Sequence, residues 1–446
     1  MPPKADIALI SLGCPKNQVD SEVVLAHLCQ EGYRLVEEPA RADLVFVNTC
    51  AFIEEAREEA VETLLEMARL KEEGPLRGVI ALGCLPQRYG EELARAMEEV
   101  DAFVPISDYS RLGRVAERVL AEGRCGLVAG GEPKGEGADL VRLPLSPPSF
   151  AYLRVAEGCN HRCSYCAIPA IRGSLRSKPL PVLLEEARRL ADLGVRELVL
   201  VAEDTTAWGV DLPGPGRDLP VLLRALAGVE GVAWLRVLYG YPGSVTDELL
   251  ETMAALPQVV PYLDLPIQHT EGPVLKAMGR GGRGGRLRDL LHRIREKVPG
   301  IALRTSILVG HPGEREEHFQ ALRDFLATFR FERLGAFAWS PEEGTAAVEM
   351  SGRPTPEEAG RRRDSLMALQ REIVRERNAK LAGEELEVII DGKEHAGLFT
   401  GRSQADAPEV DCRVLVRSER DLEPGSILSL VVEGFEDYDL HGRALG

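Results

Sequence analysis

Short apolar segments alternate with segments of helical periodicity over about the first 340 residues, and this alternation constrains the fold more than any other feature of the chain. In the first part, buried strands are predicted at 6–13, 42–50 and 78–84, and each precedes a helical stretch. Alternating strands and helices form parallel sheets with helices on both faces. We therefore predict an N-terminal doubly wound parallel α/β domain over residues 1–125.

A stretch dense in Gly and Pro, 126–150, predicts a linker before a second α/β segment at 151–378. Because this segment contains six strand-helix units rather than eight, we predict a central open, partial (β/α)6 barrel. The arginine-rich helix at its end is expected to pack through an apolar stripe, although RNA binding is an alternative. The six predicted strands lie at 151–158, 197–203, 234–238, 262–266, 302–310 and 333–339.

The last segment, 379–446, has short strands separated by turn residues, which predicts a small all-β barrel. Strands are expected at 384–391, 412–418 and 426–435. The segment contains 15 acidic and 7 basic residues. A barrel of this charge is unfavourable for binding a phosphate backbone.

The whole chain is also acidic, with a net charge of −17, which argues against broad attraction to nucleic acid and favours a neutral or basic partner. No apolar run approaches the ~18 residues of a membrane span, and the first residues do not resemble a signal peptide, so we expect a cytoplasmic protein. Nine cysteines in a reducing compartment do not suggest a disulfide framework. Metal or redox chemistry is the leading expectation for them.

Three cysteines, Cys159, Cys163 and Cys166, share one short loop with the spacing C-x3-C-x2-C. A cubane iron-sulfur cluster takes four cysteines, so three leave one iron open to an outside ligand. The alternatives are zinc bound with His161, which is too close in sequence to reach the same ion without strain, and purely structural cysteines.

Three more cysteines, Cys14, Cys50 and Cys84, are far apart in sequence but each ends a predicted parallel strand. The carboxyl ends of such strands line one crevice in open α/β sheets. We expect these thiols to meet at one point, and the alternative is that each is a small buried apolar residue.

Other polar residues end predicted strands of the central barrel, where active sites of such folds lie. Residues 203–205 end the second strand, Gln268 with His269 follows the fourth, and Arg304 lies on the fifth, which ends in 310–314. Helix caps, loop hydrogen bonds and surface charges are the alternatives for each. The run GRGGRGGR at 279–286 is expected to be a flexible, solvated loop.

These motifs, in this order, resemble the methylthiotransferase family of radical S-adenosylmethionine (SAM) enzymes nearly end to end. The resemblance is carried by LGCPKNQVD, NTC and LGC, by CNHRCSYC, and by a C-terminal TRAM barrel. Within the family, LGCPKNQVDSE, YLDLPIQH and GRSQADAPEVD (401–411) are similar to the bacterial branch that modifies an aspartate of ribosomal protein S-twelve. Sister branches modify an adenosine of transfer RNA, and the acidic C-terminal barrel argues against them.

The resemblance implies two [4Fe-4S] clusters: a radical SAM cluster on Cys159, Cys163 and Cys166, and an auxiliary cluster on the other three cysteines. It also implies two SAM molecules, one giving a methyl group to sulfur and one cleaved to a radical that takes hydrogen from the aspartate β-carbon. Candidate SAM contacts are Tyr165, Asp204, Gln268 and Arg304, and candidate substrate-recognition residues are Asp406, Glu409 and Asp411.

The implied partners are the small-subunit ribosomal protein S-twelve, free or in the 30S subunit, and an electron donor such as flavodoxin or ferredoxin. No membrane is implied, and nucleic acid is not the implied substrate. Two other functions remain open at this point: a transfer RNA adenosine methylthiotransferase, and an iron-sulfur electron carrier or cluster scaffold.

Overall fold

The computed structural model describes residues 2–128, 141–214, 216–281 and 284–445. The described chain forms two compact units. The first holds residues up to 145 together with 157–160 and 166–175, and the second holds 146–156, 161–165 and the chain from 176 onward. The predicted linker at 126–150 lies partly outside the described residues. The domain boundaries expected from the sequence stay a prediction.

The first unit is built on a six-stranded parallel sheet whose order is β2-β1-β3-β4-β5-β6. The strands predicted from the sequence are present as β1, β3 and β4, and every residue of β3 and β4 is buried. One four-residue strand and two two-residue strands were not predicted. The strands are β1 (Asp6–Ser11), β2 (Arg34–Leu35), β3 (Leu44–Thr49), β4 (Gly78–Gly83), β5 (Ala102–Pro105) and β6 (Gly126–Leu127).

Five α-helices lie within the described residues of this unit: α1 (Pro15–Gln30), α2 (Glu54–Glu73), α3 (Cys84–Ala96), α4 (Leu112–Glu122) and α5 (Ile168–Arg172). The direction of strand order reverses beside β1, because β2 pairs with one edge of β1 and β3 with the other. A reversal of this kind leaves a crevice at the carboxyl ends of the strands, where ligands bind in doubly wound folds.

The second unit contains a six-stranded parallel sheet of order β14-β13-β12-β11-β10-β7, with β7 and β14 at its edges. All six strands match those predicted, which confirms the open, partial barrel. They are β7 (Phe150–Arg154), β10 (Glu197–Val201), β11 (Trp234–Val237), β12 (Val259–Asp264), β13 (Ala302–Val309) and β14 (Arg333–Ala338). Two two-residue strands, β8 (Ala156–Glu157) and β9 (Arg176–Ser177), lie on either side of the cysteine loop in sequence.

Seven described helices accompany this sheet: α6 (Leu180–Asp192), α7 (Leu219–Leu226), α8 (Asp247–Ala255), α9 (Gly272–Ala277), α10 (Gly284–Lys297), α11 (Glu316–Phe329) and α12 (Pro356–Leu381). The long helix α12 is capped at its N-terminus by Thr355, whose side chain accepts a hydrogen bond from the Glu358 amide. It packs on β14 through a stripe in which Leu366, Ile373 and Val374 are buried. The expected packing role of this helix is confirmed.

The same unit ends in a closed five-stranded barrel of order β15-β16-β17-β19-β18. The sequence predicted three of these strands and missed two short, Gly- and Arg-containing ones. The strands are β15 (Glu385–His395), β16 (Leu398–Ser403), β17 (Val414–Arg417), β18 (Ile427–Glu436) and β19 (Asp439–Ala444). Their buried side chains form a separate apolar core.

Across the described ranges, we find no helix that combines the length and apolar character needed to span a bilayer.

Candidate metal centres

Cys14, Cys50 and Cys84 follow three adjacent strands of the first unit. Cys50 comes directly after β3, Cys84 directly after β4, and Cys14 three residues after the end of β1. Since β3 pairs with both β1 and β4, the three cysteines share the crevice beside the strand-order reversal. Cys50 and Cys84 are buried, and Cys14 is partly exposed.

Glycines with a positive φ precede two of these cysteines and allow the chain to turn tightly there. Gly13 has φ +92°, and a Cβ atom on it would lie 2.8 Å from Cys50 Cβ and 3.2 Å from Cys50 Sγ. Gly83 has φ +103° and packs against the side chain of Asn48. The repeated pattern LGC thus reflects both a left-handed backbone and a close approach.

The three thiols interact with one another electrostatically. Burial is the main cause that raises the pKa of Cys84 to about 12, and the nearby Cys14 and Cys50 raise it further while Arg172 lowers it. Burial also raises the pKa of Cys50. Thiols of this kind stay protonated alone and lose their protons when they bind a metal.

Asn17 connects the ends of β1 and β3 at this site. Its Nδ2 donates hydrogen bonds to the carbonyl oxygens of Leu12 (3.1 Å) and Thr49 (2.9 Å). Its Oδ1 accepts from Arg172 Nη2 at 2.6 Å and lies 3.5 Å from Cys84 Sγ. The motif CPKNQVD therefore contains both the candidate ligand Cys14 and the amide side chain that fixes its surroundings.

The second cysteine motif also contains a glycine-cysteine pair. Gly158 has φ +71°, and a Cβ atom on it would collide with the Ser174 carbonyl oxygen. The Cys159 amide donates to the Gly173 carbonyl oxygen at 3.1 Å. These contacts, all within the first unit, pack residues 158–159 at the start of the loop against residues 173–174 at its end.

His161 and Asp204, both in the second unit, are joined by a hydrogen bond in which His161 Nε2 lies 2.7 Å from Asp204 Oδ2. The imidazole also stacks on Tyr241, with ring centroids 3.8 Å apart. Thr206 Oγ1 donates to the other oxygen of Asp204 at 2.5 Å. His161 is thus held by a carboxylate and an aromatic ring, and this arrangement does not make it a zinc ligand.

Ser164 fixes the middle of the loop through three hydrogen bonds. Its amide donates to the Met278 carbonyl oxygen (3.0 Å), and its own carbonyl oxygen accepts from the Ala347 amide (2.7 Å). Its hydroxyl lies 2.9 Å from His311 Nε2, while His311 Nδ1 lies 2.9 Å from the Pro312 carbonyl oxygen. The carbonyl requires the proton on Nδ1, so Ser164 donates to Nε2. Burial lowers the pKa of His311, which favours this neutral form.

Arg280 is the cation beside Cys163, and the sequence analysis missed it. Its Nη1 lies 3.8 Å from Cys163 Sγ and 3.3 Å from the Tyr165 hydroxyl, and its Nη2 donates to the Pro266 carbonyl oxygen at 2.7 Å. The guanidinium also lies over the Tyr241 ring. The expectation of a solvated loop at 279–286 is wrong at this residue, and it is wrong from Gly284 onward, where α10 begins. Residues 282–283 lie outside the described residues.

Of the candidate SAM contacts, three lie toward the carboxyl ends of the central strands. Asp204 follows β10, Gln268 follows β12, and Tyr165 belongs to the cysteine loop. Gln268 has φ +67° and its backbone bridges to Ile307 on β13. Their contact with SAM stays a prediction.

The prediction that Arg304 contacts SAM needs correction. It lies near the start of β13, five residues before the carboxyl end of that strand. Its Nη1 donates to Asp264 Oδ1 at 3.0 Å and its Nε to Asp411 Oδ1 at 3.2 Å. Both carboxylates compete with any SAM carboxylate, so Arg304 joins the C-terminal barrel to the central sheet instead.

Two of the three candidate substrate-recognition residues also need correction, because they are not available to a partner. Asp406 is buried and accepts from Arg333 Nε at 2.8 Å, and the Asp411 side chain is 3% exposed beside Arg304. Only Glu409 is exposed, and it accepts a hydrogen bond from Tyr152 at 2.8 Å. The segment GRSQADAPEVD therefore packs on the central sheet.

The residues present fit clusters in the chemistry of the donor set, since each triad consists of three thiols. Among the residues with described positions, no group of three His, Cys, Asp or Glu side chains is arranged to hold one metal ion. An iron-sulfur cluster does not require three ligands around one ion, because each thiolate binds a separate iron.

Three families match successive parts of the chain. Residues 6–105 match the Uncharacterized protein family UPF0004, residues 153–326 the Radical SAM superfamily, and residues 382–445 the TRAM domain. The chain is also similar to curated relatives called "Ribosomal protein uS12 methylthiotransferase RimO". The relative from Pelotomaculum thermopropionicum is 44% identical over 98% of this chain and 99% of its own length. The relative from Geobacter sulfurreducens is 43% identical over 99% of both.

This chain belongs to the RimO family of radical SAM methylthiotransferases. The three family matches confirm the three-domain architecture expected from the motifs. As a member of this family, the chain is an enzyme whose cofactors are SAM and [4Fe-4S] clusters.

Solved structures share the fold at low sequence identity. The radical SAM methyltransferase TsrM from Kitasatospora setae, solved with tryptophan and a SAM analogue, has a TM-score of 0.54 at 17% identity and covers 74% of this chain and 72% of its own. The cobalamin-dependent SAM radical enzyme OxsB has a TM-score of 0.52 at 11% identity, and the match covers 82% of this chain and 56% of the OxsB chain.

Proposed function

We propose that this enzyme attaches a methylthio group to the β-carbon of an aspartate in ribosomal protein uS12, the S-twelve protein of the small subunit. The observation that carries the proposal is end-to-end similarity to relatives named for that reaction. Two cysteine triads in different parts of the fold support it, because the reaction needs one site for cleaving SAM and one for handling sulfur. Relatives named for uS12 favour this substrate over transfer RNA.

Cys159, Cys163 and Cys166 would hold the radical SAM cluster, and Cys14, Cys50 and Cys84 the auxiliary cluster. When bound, the clusters supply the electron for opening SAM and an open iron site, which acid-base side chains cannot replace. Tyr165 and Gln268 would meet SAM at the carboxyl rim of the central strands. The carboxylate of Asp204 already contacts His161 and Thr206, so Asp204 would act by orienting the cysteine loop.

The residues around the cysteine loop hold Cys163 in position. Ser164 is fixed by His311 and two backbone groups, and Arg280 lies between Cys163, Tyr165 and Tyr241. These contacts set the orientation of Cys163 before any cofactor arrives, which lowers the entropy lost on binding.

The partners would be uS12, free or within the 30S subunit, and a small electron donor such as flavodoxin or ferredoxin. We place this activity in the cytoplasm, where ribosomes and reducing proteins are available.

Anaerobic incubation tests the substrate. Reconstituted protein would be mixed with reductant, sulfide, SAM and either 30S subunits or transfer RNA, both from cells lacking this enzyme. Mass spectrometry should find one methylthio group on uS12 and none on transfer RNA. The reverse distribution would replace the proposed substrate with transfer RNA.

A further inference from the structure

Arg172 ends helix α5, six residues after Cys166, yet it lies beside the other cysteine triad. Its Nη2 lies 3.6 Å from Cys84 Sγ. The same nitrogen donates to Asn17 Oδ1 at 2.6 Å and to Asp20 Oδ2 at 3.0 Å. All of these residues belong to the first unit.

The guanidinium is held rigidly in place. The Arg172 side chain is 3% exposed, and the Asp20 side chain is fully buried. Glu157 Oε1 lies 3.8 Å from Arg172 Nη1. A buried arginine is costly unless its charge is paired, and Asp20 supplies the pairing. Asn17, which is bonded to the backbones of β1 and β3 near Cys14 and Cys50, fixes its direction.

A positive donor at this place has a specific consequence for a cluster held by Cys84. Hydrogen bonds to the cluster sulfurs and nearby charge set the reduction potential of iron-sulfur clusters. A reduced cluster carries one more negative charge than an oxidised one, so a fixed cation favours the reduced form. Second-sphere donors also orient the ligands that they contact.

We propose that Arg172 is a positioning residue that orients Cys84 and raises the reduction potential of the auxiliary cluster. Asp20 and Asn17 hold its guanidinium at the thiolate. The inference rests on the proposed function, which assigns that cluster to Cys14, Cys50 and Cys84.

The test uses full-length protein in which Cys159, Cys163 and Cys166 are alanine, so that only the auxiliary cluster contributes a signal. Arg172→Met and Arg172→Lys are introduced into this parent, and iron content and the midpoint potential are measured by redox titration followed by EPR. Arg142→Met is the matched control, because Arg142 is also a buried arginine paired with a carboxylate of α1, that of Glu22 at 2.9 Å.

Arg172→Met should shift the midpoint to a clearly more negative potential, Arg172→Lys should shift it less, and Arg142→Met should leave it at the parent value. If the Arg172→Met protein loses its iron, the Arg172→Lys protein decides the test. An Arg172→Lys protein that retains iron and shows a small shift in midpoint potential supports the proposal.

An unchanged midpoint in Arg172→Met, or a lysine variant that loses iron or shifts as far as the methionine variant, would overturn the role of the charge. A shift in Arg142→Met equal to that of Arg172→Met would do the same. A parent protein without iron would instead refute the assignment of the auxiliary cluster, and with it this inference.

Discussion

Glycine sets the geometry of three of the six candidate cluster cysteines. Gly13, Gly83 and Gly158 each precede a cysteine, and each has a positive φ. An L-residue in a conformation of this kind costs roughly 1–3 kcal/mol. At Gly13 the close approach to Cys50 adds a steric penalty, so the turn and the neighbouring ligand are linked.

Replacing Gly13 with alanine should therefore damage the auxiliary site. The added Cβ would lie 2.8 Å from Cys50 Cβ, which forces the two cysteine-bearing turns apart. We expect reconstituted Gly13→Ala protein to hold about half the iron of the parent, on the assumption of about four irons per cubane. Formation of 5'-deoxyadenosine from SAM should persist.

Gly123→Ala is the control for that variant. Gly123 has φ +82° but a Cβ on it would meet nothing within 4 Å. The Gly123→Ala variant should lose roughly 1–3 kcal/mol of stability and no iron. Equal iron loss in the two variants would show that backbone strain, and not the contact with Cys50, causes the defect.

Residue types and spacing were enough to single out the six cysteines, because three thiols in one loop or at three strand ends are rarely accidental. They were not enough for Arg172 and Arg280, whose roles depend on contacts between segments distant in sequence. Arg304 was misassigned as a SAM contact because its carboxylate partners, Asp264 and Asp411, come from segments distant in sequence.

At the scale of elements, buried ion pairs join the C-terminal barrel to the central sheet. Glu197 on β10 lies 2.6 Å from Arg236 on β11 and 2.6 Å from Arg402 on β16. Burial would raise the pKa of Glu197, but the two arginines lower it below its ordinary value. The pairing of Asp406 with Arg333 belongs to the same interface.

Asp406→Asn should strongly destabilise this interface, because it leaves the buried charge of Arg333 without its carboxylate. Breaking a buried pair typically costs about 3–5 kcal/mol. Urea unfolding followed by tryptophan fluorescence can measure the loss, since Trp234 Nε1 donates to Glu387 of the barrel at 3.2 Å.

Asp421→Asn is the matched control, since the Asp421 side chain is 75% exposed in its pair with Lys393. An exposed pair is worth less than about 1 kcal/mol. If the two variants lose the same free energy, the interface does not depend on its buried charges.

The longer strands of both sheets were predictable because continuous apolar runs in parallel sheets are distinctive, whereas β2, β5 and β6 of the first sheet are too short to show one. The strands missed in the C-terminal barrel, β16 and β19, contain Gly, Arg or His and are defined by pairing within the barrel. Local pattern carries little information about such strands.

For the whole molecule, the acidic charge favoured the proposed substrate over transfer RNA, but it did so through the wrong residues. The excess of acidic residues in 379–446 argued against transfer RNA. Yet Asp406 and Asp411 are paired with arginines of the central sheet, and Asp391 with Arg402 inside the barrel. The surface charge that a partner meets is therefore smaller than the sequence suggests.

The central claim is that two cysteine triads hold two clusters with different tasks, and one measurement tests it directly. Cys14→Ala, Cys50→Ala and Cys84→Ala are combined in one reconstituted protein, which is assayed for iron, 5'-deoxyadenosine and methylthio transfer to uS12. We expect iron to fall from about eight to about four per chain. We also expect 5'-deoxyadenosine to form and methylthio transfer to stop. Loss of 5'-deoxyadenosine in this variant, or continued methylthio transfer to uS12, would contradict the division of work between the two sites.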